Sequence, residues 1–202
     1  MKMIIMGGSA GSLAPLKTVL KGLPDDLDAA VLVLRHSWPS VPSQLARMLA
    51  PTSTLPVRDI DDGTPIAAGH VYIAPSGTNV EMDGDGGAGA TFRLAEHRPG
   101  QKGRPNIDVS MISAAHLFGN DCIGVVLSGY LDDGTEGAIE VGACDGAIIV
   151  QAPSDAEQSS MPVNVIERDS PNYILPDIQI AGMLSALVSG RVVVGEDISY
   201  AS

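Results

Sequence analysis

The sequence predicts an α/β protein, a three-layer, doubly wound and mostly parallel sheet with one antiparallel hairpin excursion. Three observations predict it. Short continuous apolar runs recur along the chain, as in strands buried on both faces. Between them lie segments whose apolar residues fall at helical spacing. One stretch near the middle instead alternates around a glycine-rich turn, the pattern of a hairpin.

In order, "KMIIMG" (2–7) reads as a buried strand, and "SLAPLKTVLKGL" (12–23) as a helix with Leu13, Leu16, Leu20 and Leu23 on one face. Ser12 fits its N-cap. "AAVLVLRH" (29–36) is a second strand and "VPSQLARMLA" (41–50) a second helix. "GHVYIAP" (69–75) is a third strand, followed by the hairpin over 78–96. An amphipathic helix over 106–119 leads into the strand "CIGVVLSG" (122–129) and a helix over 134–143. The strand "GAIIVQAP" (146–153), a short helix over 162–168 and a closing helix over 177–188 complete the plan. No Pro/Gly/Ser-rich linker divides the chain, so one domain is expected over 1–202.

Composition narrows the function. With 45% hydrophobic and 18% charged residues the chain can bury a core and is not disordered. A net charge of −12 argues against a nucleic-acid partner and an anionic membrane surface, both of which need clustered Lys and Arg. Cys122 and Cys144 form neither a disulfide framework nor metal-ligand spacing. The start "MKMIIMGG" is too short an apolar run for a signal peptide, and no stretch approaches the roughly 20 apolar residues of a membrane helix. The expectation is a soluble cytoplasmic protein.

In open parallel sheets the reactive groups gather beyond the carboxyl ends of the strands. Ser9 follows the first strand, His36 the second, Pro75-Ser76-Gly77 the third, and Asp132-Asp133-Gly134 the "VVLSG" strand. Serine, histidine and aspartate therefore converge on one edge. The loop "GGSAGS" fails the dinucleotide fingerprint, because Ser9 stands where the second glycine belongs. It also lacks the Gly-Lys-Ser/Thr of a P-loop. It does satisfy G-x-S-x-G at a strand-to-helix turn, where the N–H groups of the helix start can stabilise an oxyanion. An α/β-hydrolase is excluded, since those enzymes place several strands before the nucleophile and order the triad Ser, Asp, His.

Six ordered segments resemble the catalytic domain of the chemotaxis protein-glutamate methylesterases, the CheB family. They are "IIMGGSAGSLAPL", "LVLRHSWPS", "GTPIAAGHVYIAPSG", "GRPNIDVSM", "GVVLSGYLDDGTEGA" and "SSMPVNVIE". The resemblance implies Ser9 as nucleophile, His36 as general base and Asp133 as the residue that orients His36, with Asp132 its rival. It implies an oxyanion and substrate cleft built from the backbone at Ala10, Gly11 and Tyr130, with Arg104 either shaping the cleft or bracing a loop. Leu131 departs from a family glycine, a position where leucine disfavours φ > 0.

The activity so implied is hydrolysis of glutamyl γ-methyl esters on methyl-accepting chemotaxis receptors, with deamidation of receptor glutamines as the same acyl chemistry. Neither a metal nor an organic cofactor is implied. The family usually carries an N-terminal receiver domain, which this stretch lacks, so a separate receiver or kinase is an expected partner. A catalytically impaired module that binds receptors or signalling proteins is the alternative.

Overall fold

A computed structural model describes residues 1–37, 44–87, 89–96 and 104–190. The start of the helix expected over 41–50, one residue of the hairpin tip, and His97, Arg98 and Lys102 lie outside the described residues.

The core is a seven-stranded parallel sheet. Its strands are β1 (Lys2–Gly8), β2 (Ala29–Arg35), β3 (Val57–Asp59), β4 (His70–Ile73), β7 (Cys122–Val126), β8 (Ala147–Gln151) and β9 (Tyr173–Leu175). They run in the order β3-β4-β2-β1-β7-β8-β9. The antiparallel pair β5 (Asn79–Asp83) and β6 (Thr91–Ala95) forms the separate hairpin that the alternating stretch predicts. The helices are α1 (Leu13–Gly22), α2 (Leu45–Leu49), α3 (Ile107–Phe118), α4 (Thr135–Ala143), α5 (Ser160–Arg168) and α6 (Asp177–Val188).

Pleating divides each central strand between two cores. Met3 and Ile5 of β1 face α3, α4, α5 and the hairpin, through Ile107, Met111, Val141, Met161 and Phe92. Ile4 and Met6 face α1, α2 and α6, through Leu16, Leu20, Leu49 and Leu184. Both faces are covered, which is why β1 and β2 read as unbroken apolar runs. The three layers and the hairpin match the expected architecture.

Two strands were not expected. β3 and β9 are three residues each and sit at the two sheet edges. Neither is long enough to show a period. The short helix expected over 162–168 begins earlier, at Ser160.

The chain runs outward from β1 through β2 to β4, then returns across the sheet to β7 on the other side of β1. The crevice at such a reversal is where open parallel sheets bind ligands. β2, β1 and β7 are adjacent, so the three chemistry-bearing loops leave neighbouring strands.

Candidate active site at the carboxyl ends of the central strands

Strand register brings Ser9 and His36 side by side. Gly8 pairs with Arg35, so each reactive residue is the next one beyond a paired position. The His36 N–H donates to the Gly8 carbonyl at 3.2 Å. Asp133 arrives from the loop after β7 and meets the histidine, His36 Nε2 lying 2.6 Å from Asp133 Oδ2.

Asp133 is 2% exposed, and its burial is matched by donors. Asn106 Nδ2 donates to Oδ1 at 3.0 Å, the Asp108 N–H to Oδ1 at 3.1 Å and the Ile107 N–H to Oδ2 at 2.9 Å. Two of these are first-turn amides of α3, whose intrahelical partners are missing by construction of any helix. The carboxylate thus sits on a helix N-terminus, where a negative group is favoured. These three donors cannot become acceptors, so Asp133 accepts on both oxygens, an arrangement that suits the tautomer with the proton on His36 Nε2. Nδ1 is then the imidazole nitrogen with a free lone pair.

Asn106 and Asp108 were not singled out in the sequence. Asn106 also caps α3 from its other end, Oδ1 accepting from the Val109 N–H at 2.8 Å. Asp108 Oδ1 accepts from the Gly134 and Gly137 N–H groups at 2.9 and 2.8 Å. Each helix start is therefore capped by an aspartate belonging to the other. The available signal was Asn-Ile-Asp at a helix start, an N-cap followed by an acidic first turn.

The serine turn is fixed through its peptides. The Ser9 N–H donates to the Ser128 carbonyl at 2.9 Å, and Ser128 Oγ donates to the Ala10 carbonyl at 2.8 Å. Ser128 is fully buried, accepts from the Gln158 N–H, and donates its own N–H to Gln151 Oε1. It is a third residue that the sequence reading missed. Ser12 occupies the N-cap position of α1, but its hydroxyl makes no capping bond to the helix. It turns back and donates to the Ser9 carbonyl at 2.6 Å. Gly11 takes φ +77°, and a Cβ there would meet Ser128 Oγ at 2.5 Å, so the turn demands glycine twice over.

Among the described residues the Ser9 hydroxyl makes no hydrogen bond, to His36 or to any other group. The geometry brings His36 onto Asp133 and sets Ser9 beside them without closing that last link. Unliganded sites are often this loose.

The loop of β7 lies against the serine. A Cβ on Gly129 would fall 2.9 Å from Ser9 Cβ and closer still to Met161. Tyr130 and Leu131 follow, both exposed. Leu131 does adopt the left-handed conformation, φ +66°. The loop keeps the shape a glycine would give it, at a cost of roughly 1–3 kcal/mol for a residue held in that region. Neither the Ala10 nor the Tyr130 N–H donates to a described residue. Arg104 is exposed, and its carbonyl accepts from the Ser37 N–H at 2.8 Å, tying the approach to α3 to the residue after His36.

Comparison with known proteins follows the same residues. A family model described as CheB methylesterase matches residues 4–184. The chain is 31% identical over 187 residues to a protein-glutamate methylesterase/protein-glutamine glutaminase of Thermotoga maritima, covering 93% of this chain and 54% of that one. It is 33% identical over 186 residues to a protein of the same designation from Anaeromyxobacter dehalogenans, covering 92% and 53%. The chain thus spans about half the length of these relatives. The crystal structure of the Thermotoga maritima CheB methylesterase catalytic domain superposes with a TM-score of 0.87 at 30% identity, over 92% of this chain and 98% of that one.

Proposed function

Because the chain belongs to the CheB methylesterase family, we propose that it hydrolyses glutamyl γ-methyl esters on methyl-accepting chemotaxis receptors, with Ser9, His36 and Asp133 as its triad. The observation that carries this reading is the Asp133 carboxylate. It suits the tautomer that carries its proton on His36 Nε2, which leaves the Nδ1 lone pair for Ser9, at the next strand end.

His36 Nδ1 takes the Ser9 proton as Oγ attacks the γ-carbonyl carbon. The backbone N–H groups at Ala10, Gly11 and Tyr130 face the oxyanion. The carbon–methoxy bond breaks, His36 returns the proton to the leaving oxygen, and methanol departs. Water then attacks the acyl-enzyme by the same steps in reverse, releasing glutamate and free Ser9. Asp133 stabilises the imidazolium formed in each half. A glutamine side chain follows the same path with ammonia as leaving group, which extends the reading to deamidation. Acyl transfer of this kind needs a nucleophile, a base and oxyanion donors, and all three come from the protein.

Residues 1–202 form one catalytic unit in this reading, acting in the cytoplasm on the receptor's helical domain. A receiver domain or kinase is its regulatory partner. No helix among the described residues is long and apolar enough to cross a membrane. The second reading, a receptor-binding module without turnover, draws on the missing Ser9–His36 hydrogen bond.

Methanol release from a methylated receptor fragment decides between them. Ser9→Ala and His36→Ala should each nearly abolish release while circular dichroism stays unchanged. The double variant should be little worse than either single one, because triad members act as a unit. Losses that multiply would exclude a triad. A wild type that binds the fragment without releasing methanol would favour the module.

A further inference from the structure

The loop beside the candidate nucleophile holds a leucine where the backbone disfavours one. Leu131 stands at φ +66°, a region in which a bulky L-residue is an outlier. Side chains from α5 secure it there, Asn164 Nδ2 donating to the Leu131 carbonyl at 2.9 Å and Ser160 Oγ at 3.3 Å. Here the residue is 69% exposed, and its neighbour Tyr130 is 55% exposed.

The large exposed hydrophobics among the described residues are Met48, Tyr130, Leu131 and Ile178. Met48 and Ile178 stand alone on α2 and α6. Tyr130 and Leu131 are adjacent and stand directly after Gly129, the residue whose Cβ position approaches Ser9 Cβ to 2.9 Å. The apolar pair is therefore continuous with the reactive edge. Any macromolecule that presents a side chain to Ser9 must also cover it.

We propose that Tyr130 and Leu131 form an apolar lip that packs against the side-chain stems one turn from the esterified glutamate, on the same face of the substrate protein's helix. The proposal rests on the esterase reading and deepens it. A helix that presents a glutamate ester to Ser9 also presents the side chains one turn away on the same face, so a lip beside the nucleophile finds a partner only when the ester is carried on folded protein. A free ester of the same chemistry reaches Ser9 and leaves the lip empty. The lip is uncharged, so it adds to binding through area removed from water and selects a protein-borne ester over a small one.

Leu131→Gly and Leu131→Asn test this. Both residue types accept φ +66°, so both variants should fold, with a thermal midpoint at or above that of the wild type. The measurement is kcat/KM on a methylated receptor fragment and on a small blocked glutamate γ-methyl ester. The ratio of the two should fall about tenfold in each variant, chiefly through KM on the fragment, as expected for losing part of one buried leucine. An unchanged ratio in two well-folded variants would overturn the lip. So would an equal fall on both substrates, which would mean that Leu131 shapes the chemical centre instead. A wild type that releases no methanol from either substrate would overturn the esterase reading, and the lip with it.

Discussion

Asp133 is the residue on which most of the site's geometry turns. Its two oxygens accept from Asn106, Asp108, Ile107 and His36, so no acceptor position faces an empty direction. An amide in its place cannot satisfy that arrangement. Whichever way Asp133→Asn turns, its NH2 meets N–H donors, either those of Asn106 and Asp108 or those of Ile107 and His36. Stability in urea should fall by about 1–3 kcal/mol, the cost of leaving buried donors unpaired. Turnover should fall by about 10⁴-fold, by analogy with the same change in serine proteases, because His36 loses the partner that fixes its tautomer. Asp132→Asn should cost much less. If Asp132 proved the sensitive residue, another group would orient His36.

At the scale of elements, α3 and α4 are joined through their first turns. Asp133, just before α4, accepts from the first amides of α3, and Asp108, in the first turn of α3, accepts from the first amides of α4. Asp108→Ala should therefore destabilise the protein by about 1–3 kcal/mol, read by urea denaturation, because its carboxylate holds the start of α4. It should lower kcat/KM less than Asp133→Asn does, because the His36–Asp133 contact survives. None of this pairing was legible in the sequence. A cap formed within one helix leaves a local pattern, whereas a cap lent across 25 residues of sequence leaves only two aspartates in unrelated segments. What the sequence did carry was the alternation of strands and helices, the hairpin, and the position of Ser9, His36 and Asp133 at strand ends. Those signals are local and periodic. β3 and β9 escaped because three residues at a sheet edge, one set within the polar stretch "VRDIDD", show no period. Ser12 misled because a serine before a helix suits a cap, and only the packed turn reveals that its hydroxyl points backwards.

The whole sequence carries −12, and under the proposed activity a receptor substrate would gain a carboxylate with each ester cleaved. Encounter then works against repulsion that salt screens over a Debye length of about 10 Å at 0.1 M. On the receptor fragment kcat/KM should rise with ionic strength up to a few tenths molar, whereas a small uncharged ester should show no rise. A steady fall with salt would reveal a basic docking patch, for which Arg104 is the described candidate. The exchange of caps between α3 and α4 has one more consequence, visible only when the chain is followed in time. The amide protons of Ile107, Asp108, Gly134 and Gly137 lie at the starts of two helices, yet each is shielded by a carboxylate that the other helix start holds in place. Neither start can open to solvent alone, so these four protons exchange with deuterium together, as one cooperative unit. Every such opening also releases His36 from Asp133. Their common exchange rate should thus report the fraction of molecules in which His36 has left Asp133.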